Sequence, residues 1–131
     1  TNAHYSYEYA ILLEKRFPAG EPVIAKDANY SLYYAQWILK KAFPLGEPAI
    51  AKDAYYSYYY ALNVLNGPFP LGEPVIATDA RSSYDYARFV CNGRFELGEA
   101  IIRSNSSLAY EYDEMLHLKN NFGIEPKSYL F

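Results

Sequence analysis

The sequence predicts an all-α protein, an α-solenoid in which a long helix alternates with a short α- or 3₁₀-helix. Three observations carry that expectation. Glu21, Glu47, Glu73 and Glu99 stand 26 residues apart, and Glu125 falls on the same grid. Asp27, Asp53, Asp79 and Asn105, all strong N-cap types, follow the first four glutamates at one constant offset. Behind each of the three aspartates, small residues recur at spacings of three and four, the period of a helix and not the alternation of a strand. Self-similarity at a fixed period marks a repeat architecture, whose units bury their apolar faces only by stacking.

On this grid the chain is a single repeat domain, 1–131, with complete units at 21–46, 47–72, 73–98 and 99–124 and partial units at 1–20 and 125–131. The first two complete units, EPVIAKDANYSLYYAQWILKKAFPLG and EPAIAKDAYYSYYYALNVLNGPFPLG, agree at 17 of 26 positions, far beyond chance. The third, EPVIATDARSSYDYARFVCNGRFELG, matches the second nearly as well, and the fourth is diverged. The stretch TNAHYSYEYAILLEKRFPAG reads as the back half of another unit, one residue short in its connector. Opening on Thr1, close to a cap, the chain reads as a piece of a longer array, and the polar run Arg103, Ser104, Asn105, Ser106, Ser107 as a cap at its other end.

Each element has a local cause. Long helices are expected after Asn2, Asp27, Asp53, Asp79 and Asn105, whose side-chain oxygens can accept from free amides of the first turn. Ala28, Ser31 and Ala35, then Ala54, Ser57 and Ala61, then Ala80, Ser83 and Ala87 form a small stripe on which a neighbouring helix can pack near the lower limit of about 8 Å. Tyrosine favours strands, but the helical spacing overrides it. Asn66-Gly67-Pro68 and Asn92-Gly93 stop the helices. Pro22, Pro48 and Pro74 then open a short helix of one or two turns, partly 3₁₀, anchored by Ile24, Ile50, Ile76 and Ile102.

Composition narrows the function. The chain is 131 residues long, 51% hydrophobic, and carries 16 tyrosines against one tryptophan and one methionine. A net charge of −3 argues against nucleic acid as a partner, because phosphate binding rests on clustered lysine and arginine. One cysteine excludes an internal disulfide and a multi-cysteine zinc site. No apolar run approaches the roughly 18 residues of a membrane span, so neither a membrane nor a secretory route is expected. The expected location is cytoplasmic.

The run G-x-F-P-L-G-E-P-x-I-A-x-D-A-x-x-S-x-x-Y-A resembles tandem repeats of uncharacterised bacterial and bacteriophage proteins, which read K-G-R-W-P-E-G-E, then I-A-x-D and Y-x-Y-A. Lys41, Gly67 and Gly93 here occupy the turn, and Phe43, Phe69 and Phe95 the aromatic place. The A-x-D cap after a short helix is also similar to leucine-rich variant repeats, which alternate an α-helix with a 3₁₀-helix. The resemblance implies a helical superhelix and a bacterial or viral source, the latter placing the protein in the host cytoplasm or a virion. It carries no catalytic residue.

The long helices present two further faces. An aromatic stripe of Tyr30, Tyr34 and Trp37, Tyr56 and Tyr60, Tyr86 and Phe89, then Tyr112 and Met115 is expected in the core, with each hydroxyl reaching the surface or a backbone carbonyl. The other face varies from unit to unit. His4, Glu8, Ile11 and Lys15 give way to Asn29, Tyr33, Gln36 and Lys40, then Tyr55, Tyr59, Leu62 and Asn66, then Arg81, Asp85, Arg88 and Asn92, then Ser107, Glu111, Glu114 and Leu118. Repeats hold their packing residues and vary what packing does not need. That face is either an ordinary solvated surface or a strip for a protein partner, with Tyr33, Tyr55, Tyr59, Asp85 and Arg88 as candidate contacts. Tyrosine and arginine dominate interface hot spots.

Candidate chemistry is thin. His4 and His117 lie at opposite ends of the array, Cys91 replaces Leu39 and Leu65 at a packing position, and the serine, glutamate and aspartate columns recur with the period. A catalytic group would be single and paired with a base. The expectation is therefore a non-enzymatic binding module without cofactor or metal, or alternatively an assembly protein whose arrays stack end to end and self-associate.

Overall fold

The computed structural model describes residues 2–128. Among them there is no strand, and long and short helices alternate as the grid requires. Helix α1 spans Ala3–Leu13 and α2 Glu21–Ile24; α3 (Ala28–Tyr33) continues as a π-helix over Tyr34–Leu39. The unit then recurs as α4 (Glu47–Ile50) and α5 (Ala54–Tyr60, π over Ala61–Leu65), and as α6 (Glu73–Ile76) and α7 (Ala80–Asp85, π over Tyr86–Cys91). Helices α8 (Glu99–Arg103) and α9 (Ser106–Phe122) follow. Each short helix is preceded by a 3₁₀ turn, Pro18–Gly20, Pro44–Gly46, Pro70–Gly72 or Glu96–Gly98, and each long helix packs on the next.

All five expected caps form. Asn2, Asp27, Asp53, Asp79 and Asn105 accept from the amides of Tyr5, Tyr30, Tyr56, Ser82 and Leu108. The short helix starts earlier than the prolines suggested: Pro44 and Pro70 open the 3₁₀ turn, and Pro48 and Pro74 sit second in the α-turn that follows. The small stripe faces this turn closely. A Cβ on Gly72 would lie 2.7 Å from Ser57 Oγ and 2.6 Å from the Phe69 ring, so glycine is required there for space, its φ of −91° being ordinary. Ser31, Ser57 and Ser83 donate to the carbonyls of Ile24, Ile50 and Ile76 at 2.8–3.0 Å, tying each long helix to its own short one.

The missing residue of the first unit lies in the helix and not, as expected, in the connector. From the left-handed residue that ends each helix (Glu14, Lys40, Asn66, Asn92) to the phenylalanine of the turn, the spacing is constant. Helix α1 is purely α; the three longer helices absorb their extra residue as a π segment, the usual way a helix takes an insertion. Trp37 lies off the core, contrary to its expected place in the buried stripe: it is 59% exposed, while Tyr34 is fully buried.

The core's recurring element is a tyrosine bridge. Tyr34, Tyr60, Tyr86 and Tyr112 are fully buried, and their hydroxyls donate to Glu21, Glu47, Glu73 and Glu99 at 2.6–2.8 Å. The same hydroxyls accept from the amides of Phe17, Phe43, Phe69 and Phe95 at 2.9–3.1 Å, so each one joins a long helix, its short helix and the preceding turn. The partners are thus a carboxylate and an amide, not the surface or the carbonyl expected. Burial and the Glu21 contact push the Tyr34 phenol up to about 12, keeping it a donor at any physiological pH. Arg16 and Arg94 hold the Glu21 and Glu99 carboxyls below the ordinary range, mainly by hydrogen bonding.

The last segment leaves the grid. Leu118-Lys119 stands where the second and third complete units have Asn-Gly, and α9 runs on to Phe122, where Gly123 caps it at φ 66°. Residues 125–128 then do not take the short-helix position expected of a further unit. Pro126–Ser128 forms a 3₁₀ turn against α7's π segment, with Glu125 accepting from Asn92 and Lys127 N donating to Asn92 Oδ1. Residues 129–131 of that expected unit lie outside the described residues.

Candidate binding cleft

The variable face becomes a site between α5 and α7. Asp53, Ala54, Tyr55, Tyr58, Tyr59, Asp79, Arg81, Ser82 and Asp85 line a cleft of 420 Å³. The N-caps put Tyr55 and Arg81 two residues into their helices, and the helical period returns Tyr59 and Asp85 one turn later on the same side. Tyr59 is the pivot: its ring lies 4.7 Å from that of Tyr55 and 4.8 Å from that of Tyr58, tilted at 52° and 64°. Tyr55 remains 57% exposed, which makes it the accessible member.

The opposite wall is charged. Arg81 Nε donates to Asp85 Oδ2 at 3.2 Å, and its guanidinium stands 5.7 Å from the centre of the Tyr84 ring. Asp85 Oδ1 is buried and has no hydrogen-bond partner among the described residues. Burial raises the Asp85 carboxyl above its ordinary value, against the pull of Arg81 and Arg88.

Of the five expected contacts, the cleft gathers Tyr55, Tyr59 and Asp85. Tyr33 lies one repeat away, its ring 6.5 Å from that of Tyr7, outside the cleft. Arg88 requires a correction, being only 6% exposed, stacked on Phe89 and donating from Nε to the Pro126 carbonyl at 3.1 Å. It fastens the terminal segment and offers no free guanidinium to a partner. Tyr58 was missed, since it belongs to the column Leu32–Tyr58–Tyr84 that packs between long helices. The signal was there, as an apolar side chain recurring with the period.

The other candidate groups have ordinary local partners or surroundings. Burial drives the Cys91 thiol up to about 11, so it stays protonated. His4 Nδ1 pairs with the Tyr30 hydroxyl and His117 Nδ1 with Asn121, and no group of three metal-ligating side chains forms among the described residues. Among those residues no helix is long and apolar enough to cross a membrane. Comparison with protein families, with curated proteins and with solved structures finds no match to this chain.

Proposed function

We propose that the chain is a non-enzymatic protein-binding solenoid whose partner docks on the variable tyrosine-rich face. The observation that supports this is the α5–α7 cleft, where Tyr55, Tyr59 and the half-buried Asp85 carboxylate, all at positions that vary between repeats, converge beside the packing residue Tyr58. Interfaces favour such rigid aromatic anchors. A bacterial or bacteriophage source, carried only by the resemblance of the repeats, would make a host protein the natural target. Immobilised parent and a Tyr55→Ala/Tyr59→Ala variant, both checked by thermal melting, would be offered the same host extract. A protein retained by the parent and lost by the variant supports the reading; retention by both overturns it.

A second reading, end-to-end assembly, has its own observation. On α1 the side chains of Tyr5 and Tyr9 are exposed beside Phe17, whereas Tyr34, which holds the place of Tyr9 in the next unit, is fully buried. Light scattering across a concentration series decides it. Mass that grows steadily with concentration favours stacking, and a constant monomer mass removes it.

A further inference from the structure

We propose that the α5–α7 cleft takes the side chain of a lysine from the partner polypeptide, with the ammonium at Asp85 and the alkyl stem along Tyr55, Tyr58 and Tyr59. The inference rests on the protein-binding reading and names the chemistry recognised. Charge is the first argument. Three carboxylates, Asp53, Asp79 and Asp85, line the cleft against one cation, Arg81. Asp53 and Asp79 already cover the positive ends of α5 and α7, so those helix ends offer nothing to an anion.

The second argument is the unused acceptor. A buried carboxylate oxygen without a donor is costly, and Asp85 Oδ1 is in that condition while its sister oxygen is held by Arg81. Oδ1 itself has no exposed surface, so an arriving ammonium, with three donors on a thin flexible stem, reaches this carboxylate by taking the place of Arg81 at Oδ2. The third argument is the aromatic wall. Cations are attracted to the faces of tyrosine rings, and the stem of a lysine buries well along them. The cleft also contains a cation of its own chain: the Arg81 side chain, mostly solvent-exposed, reaches in to Asp85 from the rim. In that place Arg81 competes with the incoming lysine.

The test uses the parent protein and blocked amino acids as probes, read by the tyrosine ring resonances. Nα-acetyl-lysine N-methylamide is expected to shift the rings of Tyr55, Tyr58 and Tyr59 and to leave those of Tyr34 and Tyr60 unmoved. Acetylating its Nε, or changing Asp85→Asn, should each weaken binding about fivefold or more. Arg81→Gln should strengthen it, the opposite of what loss of a purely structural ion pair would do. Asp85→Asn is expected to melt no lower than the parent, because it relieves a half-buried charge; should it fail to fold, the Nε-acetyl comparison on the parent decides alone. Equal binding of lysine and Nε-acetyl-lysine, stronger binding of blocked glutamate, or unmoved rings at saturating probe would overturn the proposal. Unmoved rings alongside a protein captured by the parent and lost by Tyr55→Ala/Tyr59→Ala would overturn the lysine inference alone, leaving the protein-binding reading intact.

Discussion

Tyr60 and Tyr55 leave the same helix little more than one turn apart and do opposite things. Tyr60 is fully buried, donates a hydrogen bond to Glu47 and accepts one from the Phe43 amide. Tyr55 stands over the cleft with its ring against Tyr59 and its edge in water. The position of Tyr60 recurs as tyrosine in four units, whereas that of Tyr55 is Asn29 and Arg81 in the adjacent ones. One residue type thus serves as a structural rivet on one side of the helix and as an accessible anchor on the other. The helical period, not composition, separates the two uses.

Substitutions can break or sharpen that contrast. The largest expected effect is Tyr60→Ala, which removes a buried ring and strands Glu47 and the Phe43 amide; it should cost about 3–5 kcal/mol in denaturant unfolding. Tyr55→Ala in the same assay should stay within about 0.5 kcal/mol of the parent. A comparable loss for both would mean that the exposed face is part of the core. Next comes overpacking of the small stripe. Gly72→Ala or Ala61→Leu should each cost about 1–3 kcal/mol, because Ser57 and the Phe69 ring leave no room beside Gly72 and Ala61 is fully buried. Unchanged melting of either variant would show that the long helix and the following turn can separate without penalty.

Asp53→Ala removes the α5 cap and should cost about 1 kcal/mol, lowering the melting temperature by about 3–5 °C in a chain of this size. The smallest effect is a gain. Lys40 closes its helix at φ 56°, where Asn66 and Asn92 stand in the later units. Lys40→Gly should raise stability by about 0.5 kcal/mol, left-handed strain relieved less the added freedom of the unfolded chain. A loss on melting would mean that the lysine side chain is held at that position by contacts outweighing the strain.

The repeat, the five caps and the helical class were legible because they depend on local chemistry repeated at a fixed period. Four features were not. The π segments look like ordinary helix in sequence, and only the constant span from Lys40, Asn66 or Asn92 to the next phenylalanine shows where the extra residue went. The tyrosine bridge joins residues 13 and 17 apart, yet its glutamate, tyrosine and phenylalanine columns recur at those fixed offsets and could have been paired by them. Arg88 could not be placed from its own helix, because what buries it is the returning segment at Pro126. In the cleft, Tyr55, Tyr59 and Asp85 followed from face counting, while Tyr58 needed the neighbouring helix to show that an inward column also reaches the opening.

The separation of rivet from anchor is tested most directly by measuring stability and partner capture together on Tyr55→Ala/Tyr59→Ala. The expected result is a melting temperature within about 5 °C of the parent and complete loss of the captured protein. A variant that still captures that protein, or one that unfolds as readily as Tyr60→Ala, would contradict it.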